Sequence, residues 1–128
     1  MPMVRISLLE GRSAADRAAI GEAVHQAMVE TINVPADDRF QVITEHPKGA
    51  LIWDPTYLGI ARGDGFVLIQ ITLNQGRTLD MKRALYKRIA ERLATAPGIR
   101  KEDVMVTLVE VPKENWSFGN GEASYAKS

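Results

Sequence analysis

Cysteine is absent from this 128-residue chain, which excludes disulfides, thiolate nucleophiles and cysteine-based metal sites together. A surplus of either charge is also missing. Sixteen basic and sixteen acidic residues cancel, so there is no electrostatic footprint for nucleic acid or an anionic membrane. No apolar run approaches the ~20 residues that span a bilayer, and no basic segment followed by an apolar stretch precedes the first strand pattern. A cytoplasmic protein without nucleic-acid or membrane partners is expected. No phosphate-binding glycine loop or dinucleotide fingerprint occurs. His25 and His46 have no companion at metal-ligand spacing and are assigned to structure. Neither a metal nor a cofactor is expected. The length supports one real core but not two independent ones, so residues 1–128 are read as a single domain.

What the chain does contain is one unit written twice. Gly11-Arg12-Ser13 returns as Gly76-Arg77-Thr78, and Asp38, Glu45, Pro47 and Lys48 return as Asp103, Glu110, Pro112 and Lys113, all at an offset of 65. The repeat covers residues 2–48 and 67–113. In the first copy, residues 2–8 alternate as a half-buried strand with Val4, Ile6 and Leu8 on one face. Ser13, with Asp16 three residues on, marks a helix start. Ile20, Val24, Ala27, Met28 and Thr31 then form its apolar stripe. Asn33-Val34-Pro35 stops the helix, because the residue before proline disfavours helical geometry, and residues 38–44 read as a second strand. The second copy repeats each step. It has a strand over 66–73, a helix capped by Thr78 and striped by Leu79, Tyr86, Ile89, Ala90 and Leu93, and a strand over 104–111. Residues 47–65 read as a linker with short extended pieces, punctuated by Gly49, Trp53-Asp54-Pro55, Gly59, Gly63 and Asp64-Gly65. Phe118-Gly119-Asn120-Gly121 marks a turn in the tail, read as a terminal hairpin that reaches a neighbouring subunit.

The expected fold is therefore α/β (α+β): duplicated β-α-β units, each with parallel strands, sharing a four-stranded sheet with two helices on one face. The other face needs cover, since monomers rarely leave so large an apolar patch exposed. Self-association is the economical answer.

One residue with chemical potential breaks the internal symmetry. Pro2 has Val67 as its counterpart. Once the initiator methionine is removed, Pro2 carries a secondary amine, with an α-amino reference pKa of ~7.7–8.0 that a low-dielectric pocket and a nearby cation lower further. Such an amine is a competent general base that can return the same proton as an acid. The alternative is that proline merely permits removal of the initiator methionine, or starts an edge strand. Arg77 follows a glycine at a strand-to-helix turn, where the helix dipole favours anions. Its guanidinium can hold a carboxylate through two parallel bonds and stabilise an enediolate. Arg12 is its twin and a second candidate. A solvated arginine beside a turn is the alternative reading of each.

Pro2, Leu9-Glu10-Gly11-Arg12-Ser13 and the β-α-β duplication together resemble the tautomerase superfamily. Within it, Val34-Pro35-Ala36-Asp37-Asp38-Arg39-Phe40-Gln41 and Asn115-Trp116-Ser117-Phe118-Gly119-Asn120-Gly121 look most like the malonate semialdehyde decarboxylase branch. The resemblance implies a homotrimer with active sites at the amino-terminal prolines. It carries to Asp38 the family aspartate that orients a water or the proline; an acid capping a strand start is the other reading, and Asp103 is its twin. The branch has two arginines before the second helix, whereas Gln75-Gly76-Arg77 keeps only the second. Asn74 stands where the related cis-3-chloroacrylic acid dehalogenases have their first. Gln75 is read as a neutral donor replacing the missing arginine, Trp116 and Phe118 as walls of the site or interface packing, and Arg39 and Gln41 as weaker polar candidates. The resemblance implies a cofactor-independent keto-enol tautomerase acting on small 2-keto or enol carboxylic acids, with Pro2, Asp38 and Arg77 catalytic and Arg12, Gln75, Trp116 and Phe118 binding substrate. Decarboxylation or hydration of a small acid such as malonate semialdehyde is the runner-up. A non-catalytic oligomeric domain is the third possibility.

Overall fold

The strands and helices follow the hydrophobic alternation closely in a computed structural model that describes residues 2–125. The order is β1 (Met3–Leu9), α1 (Ala14–Ile32), β2 (Gln41–His46), β3 (Val67–Asn74), α2 (Leu79–Thr95) and β4 (Val104–Val111). The sheet runs β2-β1-β3-β4. Within each β-α-β unit the strands are parallel, and the units meet through antiparallel β1 and β3. Both parallel pairs use one register, Val4 opposite Gln41 and Val67 opposite Val104. At the central seam Arg5 lies opposite Gln70, its own counterpart 65 residues on. A local two-fold axis therefore passes between β1 and β3 at that pair.

Each helix starts where its hydroxyl cap directs it. Ser13 accepts from the Asp16 amide and Thr78 from the Met81 amide, satisfying a donor that the first turn would otherwise leave open. Val4, Ile6, Leu8, Val67, Ile69, Ile71 and Leu73 point from the two central strands onto Ile20, Val24, Met28, Leu85, Ile89 and Leu93, all buried. Leu79 and Tyr86, expected in the α2 stripe, are exposed instead. The buried line is Leu85, Ile89 and Leu93 at i, i+4 spacing, which faces the sheet and α1 together. Ion pairs tie the elements in matching ways: Arg17 to Glu45 in the first unit and Lys82 to Glu110 in the second. Glu30 of α1 binds Arg88 and Arg92 of α2.

Three further expectations are corrected. The second strand starts at Gln41, not at residue 38. Pro35 and Asp38 close a turn instead, with the Asp38 amide donating to the Pro35 carbonyl. The linker forms no strand, only a 3-10 turn at Tyr57–Gly59, with Trp53 stacked on Phe66. The described tail has no hairpin strands either. It folds back over its own protomer, closed by bonds from the Ser124 amide to the Trp116 carbonyl and from the Glu122 amide to the Gly119 carbonyl. Among the described residues no helix is long and apolar enough to cross a membrane.

Candidate active site

Pro2 stands one residue ahead of β1 and is buried. It lines a cavity of about 200 Å³ with Met3, Phe40, Trp116, Ser117 and Phe118. The walls are aromatic because the tail returns across the start of the first strand. Trp116 stacks on Phe118 with ring centroids 5.1 Å apart, Phe118 reaches Phe40 at 5.8 Å, and Tyr125 meets Phe118 edge-on at 5.7 Å. Met1, whose removal would expose the Pro2 amine, lies outside the described residues.

Asp38 is buried in the turn ahead of β2. His25, buried on α1, fixes that turn: its Nε2 lies 2.8 Å from the Ala36 carbonyl, so Nε2 carries the proton and donates. The structural assignment of His25 thus has a specific content, since it holds the turn that carries Asp38. Arg39 and Gln41 serve the same docking. Arg39 pairs with Glu22, and the Gln41 amide donates to the Gly21 carbonyl.

Arg77 sits beyond the end of β3, after Gly76 at φ 122°. Its guanidinium donates to the Asn74 carbonyl at 3.0 Å and the Ile32 carbonyl at 3.3 Å, which tethers it without neutralising it. The hollow around it, about 360 Å³, is lined by Asn33, Asn74, Gln75, Gly76, Met81 and Lys113 among others. Among the described residues, two cations and no carboxylate line this space. Glu110, which feels the Arg77 charge, is itself paired with Lys82, whose hydrogen bond chiefly holds its carboxyl below the usual glutamate value.

Arg12 lies elsewhere. Its hollow, about 490 Å³, is lined by Leu9, Glu10, Gly11, Lys48, Asp64 and Gly65, so here two cations face two acids. Arg12 also pairs with Asp16 at 3.4 Å, whereas the residue 65 further on is Met81. Asp103, the twin of Asp38, is locked by the Arg100 guanidinium and by the Gly63 amide at 2.8 Å. The protomer therefore does not bring Arg12 to the Pro2 cavity, and the first-copy hollow is charge-balanced and partly filled by the linker.

Three residues join the two parts of the Pro2 side. Trp116 Nε1 donates to Asn74 Oδ1 at 2.7 Å, linking the aromatic cavity to the Arg77 hollow. Tyr125 is half-buried there. Burial pushes its hydroxyl pKa up and the Asp38 charge adds to that, while a hydrogen bond with Asn74 and the Arg77 charge oppose it. The sequence reading gave Asn74 no positive role and overlooked Phe40 and Tyr125. Asn74 did carry a signal: it is buried and polar where the first copy has Leu9. Among the described residues no group of three or more His, Cys, Asp or Glu could hold a metal ion.

Comparison with known proteins agrees with this fold. Models of the tautomerase enzyme family match residues 38–119 and 2–61. A probable tautomerase of Bacillus subtilis, YusQ, is 46% identical over 123 residues, covering 96% of this chain and 97% of the relative. A malonate semialdehyde decarboxylase inhibited by 3-bromopropiolate superposes with a TM-score of 0.91 at 38% identity, over 96% of this chain and 93% of the other. A second malonate semialdehyde decarboxylase gives 0.90 at 34% identity, over 95% and 94%.

Proposed function

Because the chain belongs to the tautomerase enzyme family, within its malonate semialdehyde decarboxylase-like branch, we propose that it catalyses keto-enol proton transfer on small 2-keto or enol carboxylic acids without a cofactor. The observation that carries this reading is the pairing of two unlike half-sites. A small aromatic cavity encloses Pro2, and beside it lies a hollow whose charged lining groups, among the described residues, are Arg77 and Lys113. The first suits a general base, because an apolar wall disfavours the protonated amine and lowers its pKa toward neutrality. The second suits a carboxylate anchor.

In this mechanism Met1 is removed and the Pro2 nitrogen takes the proton from the enol oxygen. The oxygen keeps the electron pair, giving an enolate, and the Pro2 ammonium returns the proton to carbon. Arg77 holds the substrate carboxylate throughout. Asp38, fixed by the His25-braced turn, orients the amine or a water. Trp116 and Phe118 exclude bulk solvent, and Gln75 stands at the rim of the Arg77 hollow as a neutral donor. Decarboxylation or hydration of malonate semialdehyde is the second reading, favoured by the TM-scores of 0.91 and 0.90 to decarboxylases. It would use Asp38 with a protonated Pro2.

The open sheet face supports a homotrimer. Val42, Met105 and Val109 are exposed on it, and Ile52 and Leu58 of the linker are 84% and 76% exposed. Intact mass will show whether the purified protein begins at Pro2. A product screen on phenylenolpyruvate and malonate semialdehyde then separates the two reactions. Protein that begins at Pro2 and turns over neither substrate would overturn both.

A further inference from the structure

The two copies keep the same pair of cations, but only one of them keeps the acids. Arg12 and Lys48 line the first-copy hollow together with Glu10 and Asp64, and Arg12 also pairs with Asp16. At the offset of 65, Arg77 and Lys113 repeat both cations, whereas Glu10 becomes Gln75 and Asp16 becomes Met81. Both replacements line the second-copy hollow. Asp64 comes from the linker, outside the repeat. Glu110 gives its charge to Lys82 at 2.6 Å. Among the described residues the Lys113 ammonium has no hydrogen-bond or ion-pair partner. The first copy thus supplies carboxylates for its two cations from its own chain, and the second leaves them to a ligand.

We propose that the site takes a substrate with two carboxylates, a small 2-keto or enol diacid, one carboxylate held by Arg77 and the other by Lys113. The inference rests on the reading of the reaction given above and narrows its substrate. Lys113 is then the residue that sets specificity. Both cations are fixed relative to the Pro2 cavity through the paired ends of β3 and β4, where Asn74 lies opposite Val111. The Asn74 carbonyl accepts from the Arg77 guanidinium at 3.0 Å, and its side-chain oxygen accepts at 2.7 Å from Trp116, which lines the Pro2 cavity. The Gln75 amide donates to the Val111 carbonyl at 3.0 Å, and Pro112 leads directly into the turn that begins at Lys113. Arg77, planar and tethered, suits the carboxylate beside the reacting carbon, where orientation matters. Lys113, exposed and on a flexible stem, suits the distal one. A monocarboxylate such as phenylenolpyruvate leaves Lys113 unpaired and should be the poorer substrate.

The test compares two compounds of one skeleton, the enol of oxaloacetate, a diacid, and the enol of its 4-methyl ester, which carries a single carboxylate. Protein shown by mass to begin at Pro2 should ketonise the diacid with a kcat/KM roughly five- to tenfold higher, between the effect of an exposed ion pair and that of a charged hydrogen bond. Lys113→Met removes the ammonium and should abolish that preference, while Lys113→Arg should restore most of it. Gln75→Glu returns the first-copy acid to the hollow and should weaken the preference as well. Equal urea midpoints separate these effects from loss of folding. Calorimetric titration with maleate and with its monomethyl ester reads the same preference without turnover, and Lys113→Met should remove it there too. Equal kcat/KM for the two enols in an active wild type, or a preference unchanged in Lys113→Met, would overturn this inference alone. Turnover of neither enol, with maleate still bound more tightly than its ester, would overturn the reaction and leave the paired anchor standing. Neither turnover nor preference would overturn both.

Discussion

Replacing Arg77 by alanine tests the asymmetry between the two copies directly. Two of the five guanidinium N–H groups are committed to the carbonyls of Asn74 and Ile32, which leaves enough donors for a bidentate carboxylate. Hydrogen bonds to a charged partner contribute ~1.5–3 kcal/mol, so Arg77→Ala should lower kcat/KM on a carboxylate substrate by roughly ten- to a hundredfold or more. Arg12→Ala should change it little, because Arg12 faces Asp16, Glu10 and Asp64 in a hollow that Pro2 does not line. The stability effects differ as well. Losing two bonds to backbone carbonyls should cost Arg77→Ala about 1–3 kcal/mol, whereas the partly exposed Arg12–Asp16 pair contributes under ~1 kcal/mol. Both variants should therefore be assayed well below their melting temperatures, following phenylenolpyruvate ketonisation in the ultraviolet, with urea curves measured alongside. Arg77→Lys, which keeps the charge and loses the fork, should fall between. Equal losses from Arg77→Ala and Arg12→Ala in folded protein would refute the assignment of the anchor to the second copy.

Pro2→Ala, in protein shown by mass to begin at residue 2, should lose about two to four powers of ten in kcat with a small change in urea midpoint; full activity would place the proton shuttle elsewhere. Sedimentation at micromolar concentration should show a homotrimer, and a stable monomer would count decisively against it. Glu30 links α1 to α2, and its hydrogen bonds, first with Arg88 and then with Arg92, hold its carboxyl below the usual glutamate value. A depressed folded-state pKa stabilises the fold above the unfolded-state value, and that contribution is lost as pH falls through the folded-state value. Glu30→Gln should therefore lower the urea midpoint at neutral pH and have no effect in acid well below the glutamate range.

Much of the architecture was legible because the two periodicities are clean. The alternation of Val4, Ile6 and Leu8 and of Ile69, Ile71 and Leu73 fixes the inner faces of the central strands, and the hydroxyl caps mark both helix starts. The α2 stripe was misread because Leu79, Tyr86 and Leu93 are also seven apart. Only docking against both the sheet and α1 selects the Leu85, Ile89 and Leu93 phase. The start of β2 was misplaced because Asp38-Arg39-Phe40 continues the polar–apolar mixture of the strand, while pairing with β1 begins only where the Val4 amide meets the Phe40 carbonyl. At the site, Pro2 and Arg77 stood out through the repeat itself. Tyr125 did not, because its place depends on the tail folding back about the positive-φ residues Gly119, Asn120 and Gly121. The separation of Arg12 from Arg77 could have been read from one position, Asp16 against Met81.

The seam at Arg5 and Gln70 has a consequence for how the molecule holds together. Two equivalent strands meet about a two-fold axis, so the contact is isologous, like the interface of a symmetric dimer. Residues 47–66 then act as a covalent tether that raises the effective concentration of one half for the other. The candidate site draws Pro2 and Asp38 from one half and Asn74 and Arg77 from the other. Association of the halves and assembly of the site are thus the same event.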